Sequence, residues 1–542
     1  MRLVSMIAIL CLAPVVTAQQ QASPAEDLCV APPSSYPPSL PAKLLPGQGR
    51  SHLPITTRNP KSQEFFNQGL AQMHSFAGYE AERSFLQAAQ LDPEAPMPQW
   101  GVAMVAAGDY RPGFQLRGDE SGSSRPAQPR RPSPGLERAR AASGTAQKLS
   151  VSATPLEKAY IAAIAARRDP AAKDPSGDYI RALRSLIQEF PQEAEAKSFL
   201  ALALMSGYTP GDRNSRPGTD EAAAILKEVL KQDPDHVGAH HYVIHALEGS
   251  THPQDAWLSS KRYPEMAPEV PHALHMPGHI YVQSDRWADA AAAFEAAARK
   301  EREYLAADQL YPNGHHGHNV HFLASTYCFL GRFDEALAGS AELMGIRENP
   351  REVKEPANSR TPYRQGWFAR LRTLVHFRKW EQVLDASTLV EYPGPRERAW
   401  RHWARGLAYA ARGEEAQARR EAEQMEEQMK AWQKVAGSES PQLRTARLEL
   451  DGHLELADGR TSKGLDTLEQ AARMEILLPY NEPPAYPRPV WEAMGQAALD
   501  TREWARAESA FRRALEQNPG STRAKDGLAS ALARSAPTVA GQ

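Results

Sequence analysis

Of the 17 histidines in this 542-residue chain, 12 fall between His236 and His321. Neutral imidazole is the commonest protein ligand for a transition metal, so the first question is whether spacing brings these rings together. His272, His275 and His279 follow an i, i+3, i+7 pattern, which aligns side chains on one face of an α-helix. His241 and His245 lie one turn apart, with Glu248 three residues further on, and His318 and His321 repeat the shorter step. Imidazoles with a carboxylate and open positions are what Zn, Cu or Fe sites use. Eight candidate ligands exceed what one ion takes from protein, so one ion with an outer shell and two ions both fit. Glu248 reads as a ligand or as a general base.

The remaining histidines carry less. His52, His376, His402 and His453 are isolated and read as ordinary polar residues. His74 could reach the same surface but stands alone. His240 falls at a packing position, and His236 and His252 lie near helix ends. His315 and His316 sit in Tyr311-Pro-Asn-Gly-His-His-Gly, where they either cover the cluster or are solvated. Pro277, between His275 and His279, removes a backbone hydrogen bond and predicts a kink, a local inconsistency of the kind found at functional sites.

The elements that must position these residues are helical. From Gln63 onward, alanine-rich amphipathic runs are punctuated by Asp-Pro, Gly and Asn-Pro, and strand-like alternation is nearly absent. Trp491, Gly495, Ala498, Ala507, Phe511, Ala514 and Pro519 occupy relative positions 4, 8, 11, 20, 24, 27 and 32 of a 34-residue unit. The same register recurs at 62–95 (Gly69, Ala81, Phe85, Ala88, Pro93) and at 271–304 (Gly278, Tyr281, Ala290, Phe294, Ala297). This pattern resembles the tetratricopeptide repeat (TPR), in which small residues let two helices approach and large ones fill the gap between pairs. Weaker repeats are expected near 155–191, 194–234, 237–270, 317–350, 364–397, 399–432 and 441–475. The resemblance implies an all-α, right-handed superhelical solenoid of roughly ten helix pairs.

Within that register His272, His275 and His279 take positions 2, 5 and 9 of a first helix. His241, His245 and Glu248 take 5, 9 and 12, while His318, His321 and Cys328 take 2, 5 and 12. Packing positions 4, 7, 8 and 11 lie on the opposite side. The resemblance implies that the histidine face lines the inner concave groove. First helices pack roughly 8–10 Å apart, so rings from the central repeats, 237–350, can converge. Gly238-Ala-His-His-Tyr-Val-Ile-His-Ala-Leu-Glu, Pro271-His-Ala-Leu-His-Met-Pro-Gly-His-Ile-Tyr and Gly317-His-Asn-Val-His-Phe-Leu are similar to blocks shared by bacterial exported TPR proteins. Phe65-Phe-Asn-Gln-Gly-Leu and Arg488-Pro-Val-Trp-Glu-Ala-Met-Gly extend that likeness. It implies the fold and assigns no activity.

Composition sets the frame. One compact core would not hold 542 residues, whereas a repeat array packs each unit on its neighbours. Lys+Arg (63) nearly equals Asp+Glu (65), and no basic stripe with interleaved aromatics occurs, so no nucleic-acid partner is expected. Arg2, the apolar run Leu3 to Val16 and Val16-Thr17-Ala18 read as a signal peptide cleaved after Ala18, implying a periplasmic or secreted protein without membrane insertion. Cys29 and Cys328 make no disulfide framework. Residues 19–60 read as a Pro/Ser-rich mobile lead-in, 61–535 as the solenoid, 110–135 as a loop insertion and 536–542 as a tail. No Gly-x-Ser-x-Gly, phosphate-binding loop, His-Glu-x-x-His or Cys-x-x-Cys occurs. The leading expectation is a transition-metal protein holding one or two ions of Cu, Zn or Fe. A metal-free scaffold with a protein or peptide in the groove, and a metalloenzyme activating water or O₂, are the alternatives.

Overall fold

The computed structural model describes residues 37–112, 134–308, 311–346 and 361–535. The signal-type segment 1–18, residues 19–36 of the lead-in, Cys29, most of the 110–135 insertion and the 536–542 tail lie outside the described residues. Among the described residues the chain is all-α, with 23 α-helices and one isolated bridge between Tyr208 and Ser215. No described helix is long and apolar enough to cross a membrane.

The helices follow one another as packed pairs. Pro60–His74 packs on Gly78–Leu91, Pro271–Gln283 on Trp287–Ala307, and Val490–Asp500 on Trp504–Gln517. Each of these pairs is built on the same contact. A Cβ added to Gly69, Gly278 or Gly495 would meet the ring of Phe85, Phe294 or Phe511 at 2.7, 2.3 and 2.8 Å. The glycine at position 8 is therefore the slot that the position-24 phenylalanine fills, and the close approach leaves no room for a methyl group.

One further pair escaped the sequence register. Pro96–Val105 packs against Pro134–Leu149, and the insertion between them breaks the 34-residue spacing. Thr522–Ser535 closes the array.

The solenoid coils back on itself. His74 of the first pair bonds Tyr242 across 168 residues, Gln283 bonds Tyr480 across 197, and Thr522 bonds the Phe329 carbonyl across 193. Part of the lead-in is tied in as well. The Glu269 amide donates to the Gly47 carbonyl at 3.1 Å, and Gln48 Nε2 donates to Tyr304 Oη at 3.2 Å. The central helices are thus covered from both ends of the chain.

Candidate metal centre

Three helices carry the cluster: Val237–Leu247, Pro271–Gln283 and Gly314–Phe329. His236 caps the first, its Nδ1 accepting from the Ala239 amide at 3.1 Å. Pro271 opens the second at the position where a missing N–H is free of cost. That helix runs past Pro277 to Gln283, with Gly278 pressed on Phe294. The same contact that docks this helix on its partner therefore sets the depth of His275 and His279, which flank it.

The rings form two triads. One nitrogen from each of His241, His245 and His272 lies within 4.8 Å of the others, and His275, His279 and His318 do the same. None of the six exposes more than 5 % of its surface. The triads adjoin, with ring centroids 6.0 Å apart between His272 and His275 and 6.4 Å apart between His245 and His279.

Outer contacts fix which nitrogen faces inward. His275 Nδ1 donates to Asn319 Oδ1 at 2.7 Å, and Asn319 Nδ2 donates in turn to the Phe294 carbonyl at 3.0 Å, which orients the amide. His279 Nδ1 donates to Glu248 Oε2 at 2.9 Å and Glu482 Oε2 at 2.6 Å. The Asn319 amide oxygen can only accept, and a Glu482 carboxylate accepts from His279, so with both hydrogens on Nδ1 the two Nε2 lone pairs face each other. They stand 2.7 Å apart, a distance that requires a proton or another cation between them. His318 Nε2 brings a third nitrogen 3.3 Å from His275 Nε2, and His318 Nδ1 meets no hydrogen-bond partner among the described residues. One proton cannot serve three nitrogens, whereas an ion with three ligands can.

The first triad is built alike. His241 Nδ1 donates to the His74 carbonyl at 2.5 Å and His245 Nδ1 to Glu248 Oε1 at 2.7 Å. His241 and His272 bring their Nε2 atoms to 3.0 Å, and His272 Nδ1 lies 3.0 Å from His315 Nε2. Metal-ligating histidines characteristically donate the other ring N–H to a carbonyl or carboxylate, and two rings of each triad, His241 and His245, His275 and His279, are held by oxygen acceptors in that way.

Electrostatics keep the rings neutral. Burial pushes His241, His272, His275 and His318 well below the ordinary imidazole range, and neighbouring imidazoles add to the effect. Burial, then the adjacent Glu482, pushes Glu248 up to about 8. Burial acts against ionisation of Glu301 too, yet contacts with His315 and His316 hold it down at about 2.

Of the eight expected ligands, the six triad histidines come together. Glu248 spans the triads, one oxygen on His245 and the other on His279, and with His279 and Glu482 it forms a further group whose candidate ligand atoms lie within 4.8 Å of one another. His321 joins neither: its Nδ1 faces Gln365 Oε1 at 2.6 Å, because the next helix supplies an acceptor there. Cys328 is buried with its thiol toward Thr373 Oγ1 and stands apart from the rings. The face is also not an open groove. Phe76 lies with its ring centroid 4.4, 5.3 and 5.5 Å from those of His241, His245 and His272, while Glu482 lies against His279 of the second triad.

Several contributors carry no local signal. Glu482 and Phe76 arrive through closure of the coil, and Asn319 and Glu301 act behind the rings. His315, read as loop, belongs to the Gly314–Phe329 helix and touches His272. His74 is not alone: it bonds Glu195 at 2.5 Å and Tyr242 at 3.0 Å, beside His236. His236 Nδ1 is taken as an acceptor by the Ala239 amide, so its Nε2 carries the hydrogen and faces Glu195. This third group is a satisfied hydrogen-bond network.

No protein-family profile and no curated protein sequence matches the chain. Among solved structures it is similar to the Cut9 chain of an APC/C Cut9–Hcn1 hetero-tetramer, at 11 % identity over 87 % of this chain and 90 % of that one, with a TM-score of 0.29. Yeast Tom70 gives 11 %, 88 %, 90 % and 0.28. Human IFIT1, in a dimer with m7Gppp-AAAA, gives 15 %, 78 %, 91 % and 0.33.

Proposed function

We propose that this protein binds transition-metal ions, one in each of two adjacent three-histidine centres enclosed in a TPR-like solenoid. The observation that carries the reading is the meeting of His275, His279 and His318 Nε2 atoms, with the first two rings held by acceptors on Nδ1. Three protein nitrogens with a fourth position left over is the ligand count of catalytic rather than closed structural sites. The His241, His245 and His272 triad would hold the second ion. Glu248 would orient one ring of each centre and link them.

Enclosure bears on the competing readings. A peptide reaching the triads would have to displace Phe76 and Glu482, so the scaffold reading has less support at this place. A periplasmic location remains part of the proposal, resting on the signal-type N-terminus; N-terminal sequencing of exported protein should begin at Gln19.

Elemental analysis of untagged purified protein tests the central reading, with two equivalents of metal per chain as the expected result. Replacing His275 or His279 by Ala should remove one equivalent, and replacing His453 by Ala should remove none. Metal-free protein that takes up no Cu, Zn or Fe ion on titration overturns the reading.

A further inference from the structure

Charge around the triads narrows the kind of ion. Each triad consists of imidazoles alone, with neither carboxylate nor thiolate among its three members. Their burial means that water cannot spread the charge of a bound ion, and buried charge needs a partner. The two centres also adjoin, with rings 6.0 and 6.4 Å apart across the boundary. Repulsion between two dications at a given separation is about four times that between two monocations.

Among the described residues, negative charge in contact with the triad rings comes from two side chains. Glu248 touches His245 and His279, and Glu482 touches His279. The nearby carboxylates are engaged elsewhere: Glu301 with His315 and His316, Glu342 with His316 and Arg302, Glu195 with His74 and His236. At most two negative charges therefore face the two ions, enough for two monocations. They would leave half the charge of two dications uncompensated in a buried site.

We propose that the two triads hold a pair of copper(I) ions, one per triad; this rests on the metal-binding reading above. Copper(I) is the first-row transition ion that is available as a monocation, imidazole suits copper, and three neutral nitrogens complete its coordination without an anionic ligand. The pair then lies beside Glu248 and Glu482, which adjoin each other at His279 Nδ1.

The test is an anaerobic titration of the metal-free full chain with Cu(I) against bicinchoninate, a coloured Cu(I) chelator, with parallel titrations of Zn(II) and Cu(II). Two Cu(I) per chain are expected, while a second Zn(II) should bind at least a hundredfold more weakly than the first. His272→Ala should leave one Cu(I) equivalent. Glu248→Gln keeps size and removes charge, and should weaken Cu(I) binding at least tenfold with an unchanged circular-dichroism spectrum. Glu482→Gln, on a covering loop, gives the same readout should the first variant fail to fold. Two Zn(II) bound with equal affinity, or a single Cu(I) per chain, overturns the copper(I) pair and leaves the metal reading standing. Failure of these three ions, and of Fe(II) in a fourth titration, to bind overturns the reading beneath it.

Discussion

Asn319 shows how much of the site's specificity sits one layer behind the ligands. Its amide is held by the Phe294 carbonyl, so its oxygen faces His275 and obliges that ring to keep Nε2 bare. Asn319→Ala removes this constraint without touching a candidate ligand. Loss of such an outer contact characteristically costs about 10–100-fold in metal affinity. We expect that loss at the His275, His279 and His318 centre alone, with the His241 centre unchanged, as read by competitive metal titration. At this scale the sequence was informative where helical periodicity governs. The i, i+3, i+7 spacing of His272, His275 and His279 did place the rings on one face, and three neighbouring helices did bring six of them together. It was silent on Glu482 and Phe76, whose places depend on contacts far along the chain. His321 turns its Nδ1 to Gln365 instead, because a helix face is broad enough for a residue three positions from His318 to meet a different neighbour.

At the scale of the helix pair, two features set the geometry. The first is the turn between helices. Position 15 adopts a left-handed backbone at Phe76, Asp285, Gly331, Arg378, Gly413 and Arg502, with φ between 51° and 75°. A bulky residue with positive φ is uncommon, and Phe76 accepts that conformation where its ring caps His241, His245 and His272. The second is the glycine slot. Gly278→Ala would force a methyl group into the Phe294 ring, and overpacking of this kind costs about 1–3 kcal/mol. Gly495→Ala makes the equivalent clash with Phe511, remote from the rings. Both variants should unfold at lower denaturant concentration. Gly278→Ala alone should also weaken metal binding, because Pro277 and Gly278 lie between His275 and His279. These slots were legible in sequence, since small and large residues recur at fixed positions. The Pro96–Val105 and Pro134–Leu149 pair was not, because an insertion destroys the period on which the reading depends.

Over the whole molecule, closure of the coil buries titratable groups far from the candidate ligands as well as near them, and this predicts acid sensitivity of the metal-free protein. Burial, followed by the nearby Arg488 and Arg378, pushes His453 down to about 3, and burial with Arg523, Arg488 and Arg372 lowers His376 strongly. Burial does the same to His241, His272, His275 and His318. In the unfolded chain each of these rings takes a proton near 6.5. Below that pH the unfolded state binds more protons than the native state, so stability falls with pH, by about 1.4 kcal/mol per unit for each such group until its folded value is reached. Buried carboxyls oppose the trend, Glu248 and Glu475 most strongly. Burial raises Glu248 and Glu475 to about 8 against an ordinary 4.5, so between those values the native state holds protons that the unfolded state lacks, and each adds stability as pH falls. His316 works on the alkaline side. Glu301 and Glu342 outweigh its burial and raise it to about 9, so its contribution is complete below 6.5 and is lost as pH rises through 9. Above 6.5 the carboxyls and His316 favour the lower pH; below it the eight lowered histidines, His236 and His240 included, outnumber Glu248 and Glu475, the carboxyls raised furthest. The denaturation midpoint of metal-free protein should therefore peak at about pH 6.5 and drop by pH 5. A saturating metal should raise the midpoint at pH 7 and less at pH 5, since protons compete for the same nitrogens. A midpoint that stays level from pH 7 to pH 5 would mean that the interior histidines are solvated and that the coil is open in solution.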